Sequence, residues 1–313
     1  MADCKVRISD LFNDRIWQID QKECPRWYSR LVRFVKLVRI TVDTFAANRM
    51  GFQCVALSYF ITLAIVPFVA LLFAVTGGLG LSDKLYELLH GIFPTNPDIV
   101  NTIFEKADNI IDQAKGGGVG LLSALLFLWA ILWMMFQVER VFNNVWGIRK
   151  IPRKIYKRFG FYFLVLILSP FIILLFGTGI AYYTNLTNLI GLDLSDLRFL
   201  PKLLGYAGFY VITTLTLSVM YKFIPAARLK YGNAFKAALV AAVAFVIFQY
   251  MYLETQTFVG RLNRTYGVIA AFPLFLIWLN FSWQIIIYGA QLSYSYENVH
   301  KYNIPEWDTE NKQ

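Results

Sequence analysis

Long stretches of this chain contain no Asp, Glu, Lys or Arg: Met50–Ser82, Gly116–Val138, Phe159–Leu192, Leu203–Tyr221, Ala237–Leu253 and Thr265–Tyr296. A soluble helix keeps one face in water and carries charge there, so the absence argues against six ordinary core helices. A hydrocarbon layer about 30 Å thick takes roughly 20 apolar residues of helix, and a run of about 18 is a candidate span. Four runs pass that length easily, Leu203–Tyr221 just reaches it, and Ala237–Leu253 is marginal. The alternating segments of membrane strands are also lacking. Helices, which satisfy their backbone bonds within one segment, are therefore expected. The expected fold class is all-α, an integral membrane bundle of about six transmembrane helices with amphipathic surface helices.

Catalytic side chains are scarce as well. The two histidines, His90 and His300, fall on opposite sides of the membrane in such a topology and cannot share a metal. Cys4, Cys24 and Cys54 form no disulfide framework and no zinc spacing. Walker loop, dinucleotide fingerprint and nucleophile elbow are all missing. On the side of the two termini, the loops between spans contain Glu139 as their only acid. Metal-assisted phosphodiester cleavage needs more than that. No enzyme activity, no catalytic residue, no metal and no cofactor are expected. A cleavable signal peptide is not visible, because the first 48 residues are charged throughout; the first span is expected to direct insertion.

What is present is 57% hydrophobic residues, 17% aromatic residues and a net charge of +10. The charge could address nucleic acid, but its placement addresses a membrane surface. With the six runs taken as crossings, 23 Lys and Arg lie on the side of the termini and 7 on the other. Cytoplasmic loops carry the basic excess, so both ends are expected in the cytoplasm. The organisation that follows is a cytoplasmic amphipathic segment at 1–48, a six-helix transmembrane domain at 49–296 with an outer helical insert at 83–116, and a cytoplasmic tail at 297–313.

In the first segment Leu31, Phe34, Val35 and Val38 recur at helical spacing after Trp27, with Arg30, Arg33, Lys36 and Arg39 between them. Such a helix lies on anionic headgroups or packs on the protein's own cytoplasmic loops; the pattern allows both. Trp17, Trp27 and Tyr28 suit an interface. In the outer insert, Asn96 is a plausible N-cap with Pro97 at the first helical position. Ile99, Ile103, Ala107, Ile110 and Ala114 then form one face, and Gly116–Gly118 separate this helix from the next span. The insert could lie flat on the outer leaflet or cap the bundle.

Pro67, Pro170 and Pro273 lie well inside three long runs. Each frees a carbonyl and tends to bend its helix, and bent helices can enclose a cavity or simply pack. Asn280, Gln284 and Gln291 fall within about 40° of one another around a helix. This neutral stripe either lines a hydrated path for a polar substrate or headgroup, or bonds neighbouring helices. Arg261 and Arg264 at the outer end of a span could hold a phosphate or carboxylate or snorkel. Glu139 and Arg140 close the second span, where a structural salt bridge to a loop is the simpler role.

Several blocks together resemble the YihY/BrkB-like inner-membrane proteins, historically mislabelled ribonuclease BN. They are Ala56–Pro67, the Phe142–Gly147 element (Phe-Asn-Asn-Val-Trp-Gly), the Tyr221–Pro225 turn, Tyr266–Ala270 with Trp278, and Gly289–Leu292. Asn143 belongs to the second of these. The family usually has Glu where this chain has Gln291, so a role that needs charge there is not carried over. The resemblance implies a six-helix bundle in the bacterial cytoplasmic (inner) membrane, with the 83–116 insert in the periplasm. It also implies envelope integrity through handling or transport of a lipid or a lipopolysaccharide-type amphiphile. The alternatives are a non-transporting scaffold that anchors an envelope partner and, behind it, a small-solute carrier; the ribonuclease label finds no support in the residues. Expected partners are membrane lipids, then a periplasmic or envelope protein, with a homo-oligomer left open and no nucleic acid.

Overall fold

The computed structural model describes residues 16–17, 25–78, 118–148, 199–227, 229–262 and 264–299, with isolated positions between them. These residues form helices and turns, and among them there is no strand. Six helices carry the architecture: α1 (Arg26–Ala47), α2 (Met50–Gly78), α3 (Gly118–Val145), α4 (Phe199–Phe223), α5 (Tyr231–Leu262) and α6 (Arg264–Asn298). Five of the six uncharged runs have a counterpart in α2 to α6. The run Phe159–Leu192, with Pro170, lies almost wholly outside the described residues, as do most of 83–116 and the tail from 301. Within the insert, Asn101, Thr102, Glu105 and Asn109 are helical and exposed, as a polar outer face requires.

Three described helices contain segments long and apolar enough to cross a bilayer: Met50–Phe68, Tyr231–Gln256 and Phe272–Asn298. Their solvent is legible in what they hide. On α5 the buried residues are Ala234, Ala237, Ala238, Ala241 and Ala242, whereas Val240, Val243, Ile247 and Met251 are exposed. On α4, Thr213, Thr214 and Ser218 are buried while Val211, Leu215 and Val219 face outward. A water-soluble helix does the reverse. Small and weakly polar residues inside with large apolar residues outside is the arrangement of helices packed in lipid, where close backbone approach replaces the hydrophobic effect as the drive to associate.

Helix α6 is the hub and touches each of the other five, with α5 as its largest partner; α4 packs on α5 and α3 on α2. The core joins Cys54 and Leu57 of α2, Phe142 and Val145 of α3, Leu217 and Tyr221 of α4, the α5 alanines, and Leu279, Trp283 and Ile287 of α6. Pro67 is buried within α2 and Pro273 exposed within α6, and both helices continue through their proline. In α2, Ser58 and Thr62 turn their hydroxyls back to the carbonyls of Cys54 and Ser58, each at 2.8 Å. Their polar atoms are thereby satisfied within the helix.

Among the described residues α1 packs chiefly on α6. Its second half runs along the last turns of α6, with Leu37 and Ile40 against Val299. Tyr28 and Val32 in its first half cover Ile16.

Candidate functional site

The polar face of α6 divides into two parts. In the upper part, Gln284 Nε2 donates to Asn280 Oδ1 at 2.7 Å, within one helix. Both side chains are half-buried. Among the described residues, Asn280 Nδ2 and Gln284 Oε1 have no further hydrogen bond. Ile277 and Pro273, on the same side of the helix, are exposed. The pair therefore keeps donor and acceptor capacity on an open face within an apolar helix, where unused amide groups are costly.

Seven residues further along, the same face is shut. Gln291 is fully buried, and its Nε2 donates to Thr44 Oγ1 of α1 at 2.6 Å. Thr44 in turn donates to the Ile40 carbonyl. Ser295 Oγ donates to the Gln291 carbonyl at 3.0 Å and sits 3.0 Å from Thr41 Oγ1. Phe45 stacks on Tyr288 with centroids 3.8 Å apart and planes 6° from parallel. These contacts lock α1 across the C-terminal end of the stripe. Gln291 Oε1 and Ser293 Oγ are buried without a hydrogen-bond partner among the described residues.

The stripe expected from spacing thus exists as a face but not as one site: Asn280 and Gln284 stand together, and Gln291 belongs to a helix–helix bond. Thr41, Thr44 and Ser295 were missed by the sequence reading. The hydroxyls at 41 and 44 lie three residues apart on α1, which was the one signal available.

Glu139 forms a salt bridge to Arg158 of the following segment. It is 1% exposed, and its Oε2 accepts from Arg158 Nε at 2.6 Å and from the Tyr162 hydroxyl. The Arg158 guanidinium also lies over the Phe136 ring at 4.7 Å. Oε2 is thus paired and hydrogen-bonded, as a buried carboxylate requires, whereas Oε1 is buried without a hydrogen-bond partner among the described residues. Arg140 points outward. Asn143 bridges two segments: its Nδ2 donates to the Glu139 carbonyl at 2.8 Å, and its Oδ1 accepts from the Ala226 amide at 2.7 Å. The end of α3 is a glycine-terminated cap. Gly147 has φ +65°, and the amides of Gly147 and Ile148 reach the carbonyls of Asn144 and Asn143. Those are the two bonds of a Schellman motif, and they give the Asn–aromatic–Gly block its physical reason.

Arg261 ends in the last turn of α5 and Arg264 opens α6; their side chains lie outside the described residues. Among the described residues no group of His, Cys, Asp and Glu could hold a metal.

The chain is similar to curated bacterial membrane proteins. A UPF0761 membrane protein of Chromohalobacter salexigens is 29% identical over 86% of this chain and 64% of its own length. One from Azotobacter vinelandii is 28% identical over 84% of this chain and 64% of its own. The chain therefore spans less than two thirds of those two relatives. A UPF0761 membrane protein of Histophilus somni is 27% identical over 85% of this chain and 92% of its own length. No solved structure matches. The sequence profile of the family described as Virulence factor BrkB matches residues 41–313, nearly the whole helical bundle, and the chain belongs to that family of membrane proteins.

Proposed function

We propose that this protein handles an amphiphile in the bacterial inner membrane, a phospholipid or a lipopolysaccharide-type glycolipid, and thereby supports envelope integrity. The observation that carries the reading is the Asn280–Gln284 pair. Two half-buried amides on an apolar helix, bonded among the described residues to each other, offer a donor and an acceptor to a polar headgroup whose acyl chains remain in lipid. Six crossings with both termini in the cytoplasm complete the reading, since the basic residues then collect on one side. The run Thr265–Tyr296 of α6 contains no carboxylate or histidine, which suits exchange down a gradient or exchange driven by a partner better than proton pumping. Glu139, held by Arg158 and Tyr162, is a tether in this reading and not a general base, so no ribonuclease activity is assigned.

A second reading has its own observation. The inner half of the bundle is closed by Gln291–Thr44 and by the tight approach of α4 to α6, as a rigid anchor for an envelope protein docked on 83–116 would be. One assay separates the two. Purified protein in liposomes is given a head-labelled fluorescent phospholipid, and dithionite reports movement between leaflets. Lipid handling predicts accelerated exchange by the native chain and at least a tenfold loss in Asn280→Leu/Gln284→Leu at unchanged thermal stability. Equal exchange in protein-free and protein-containing liposomes rejects lipid handling and leaves the anchor.

A further inference from the structure

The buried side of α1 accounts for only part of its apolar surface. Trp27, Leu31, Phe34, Val38 and Val42 are 61%, 38%, 64%, 43% and 49% exposed. At 100° per residue these five positions fall within an arc of about 80° from Trp27 to Val42, beyond which Phe45 on the same arc is buried against Tyr288. Arg26, Arg30 and Arg33, all exposed, occupy the adjoining arc. The helix cannot roll to hide the stripe, because Ile16 grips its first half and Val299, Gln291 and Ser295 grip its second. After Ala47 the chain turns through Asn48 and Arg49, the latter at φ +49°, straight into the membrane-crossing α2.

We propose that this outer face of α1 is a docking surface for anionic phospholipid, lying in the interface of the leaflet on the basic side of the membrane. Three observations select that occupant. The stripe is continuous with a membrane span. Its border is cationic, and each Arg near an anionic surface contributes to binding. Large aromatic and aliphatic groups on one face with arginines beside them is the pattern of a helix lying in the plane of the interface. The inference is independent of lipid handling by α6, since it concerns how α1 sits and not what passes the bundle.

The test uses the full chain with Cys4, Cys24 and Cys54 replaced. Single spin labels are placed at Phe34→Cys, Val38→Cys and Asp43→Cys, in nanodiscs of phosphatidylcholine with or without phosphatidylglycerol. In anionic discs the labels at 34 and 38 should be relaxed by oxygen and sheltered from a water-soluble nickel chelate, and the label at 43 should show the opposite. Arg30→Gln should lower the ratio of inserted to lifted label by up to about fivefold, and removing phosphatidylglycerol, which silences Arg26 and Arg33 as well, should lower it further. Labels at 34 and 38 that see the nickel chelate as freely as the label at 43 would overturn the proposal. So would labels sheltered from both reagents, which would mean a protein covers the face, or insertion indifferent to lipid charge.

Discussion

Tyr221 of α4 and Gly289 of α6 share one small space. The Tyr221 hydroxyl donates to the Ile286 carbonyl at 3.0 Å. A Cβ on Gly289 would overlap that hydroxyl and stand 2.6 Å from Ala241 Cβ and 2.8 Å from Tyr221 Cζ. Glycine here is the condition for α4, α5 and α6 to meet, which explains a helix interior that would otherwise favour alanine.

Gly289→Ala should therefore destabilise the bundle by about 1–3 kcal/mol, the usual cost of overpacking. Tyr221→Phe, which loses one buried hydrogen bond, should cost about 1 kcal/mol. Thermal unfolding in detergent reads both, and a Gly289→Ala protein melting with the native one would mean that the helices do not approach this closely.

Glu139→Ala leaves the Arg158 guanidinium without its carboxylate. Removing one partner of a buried pair costs about 3–5 kcal/mol, and the lower end is expected because Arg158 keeps 16% of its side chain exposed. The basic loop after α3 should become sensitive to limited proteolysis at the same time. Native-like protection in Glu139→Ala would show that the pair does not hold the loop.

Asn143→Ala removes both the donor to the Glu139 carbonyl and the acceptor for the Ala226 amide. A loss of about 1–3 kcal/mol is expected for the orphaned buried groups. Asn143→Asp keeps the acceptor for Ala226 but buries a carboxylate against the Glu139 carbonyl, one turn from the buried Glu139 side chain, and should cost more than Asn143→Ala. Unfolding by graded sodium dodecyl sulfate separates them, and equal midpoints for the two variants would count against the bridge.

Gln291 and Thr44 should be energetically coupled. A double-mutant cycle with Gln291→Leu and Thr44→Val is expected to return about 0.6–2 kcal/mol, the range for hydrogen bonds between membrane helices. Strict additivity would place α1 elsewhere than on the end of α6.

Topology is open to a direct check. Reporter fusions at the two termini should both be active in the cytoplasm, and an epitope near Asn101 should be reached only from the periplasm. A terminus that reports from the periplasm would break the even number of crossings.

The helices themselves were readable before any coordinates. Charge-free runs of this length have one stable solvent, and the spacing of Asn280, Gln284 and Gln291 places them on one side of α6 by helix geometry alone. The block Asn143–Gly147 could be recognised by resemblance, but its reason could not. The amides of residues 147 and 148 return to α3 in a motif whose bridging partner, Ala226, lies far along the chain. Glu139 was readable as a terminal charge with a structural role; its partners Arg158 and Tyr162 were not singled out, because several basic residues in the same loop were equally plausible.

What the sequence determined by itself is the solvent: long helices without charge sit in acyl chains. What only the tertiary structure decided is how one polar face is used. Among the described residues Asn280 and Gln284 are half-buried and bond to each other, while Gln291, on the same face, is closed by Thr44. Periodicity places a side chain around its own axis and says nothing about which other helix arrives there. That depends on packing at Gly289 and on the grip of α1 along α6, and both join residues far apart in the chain.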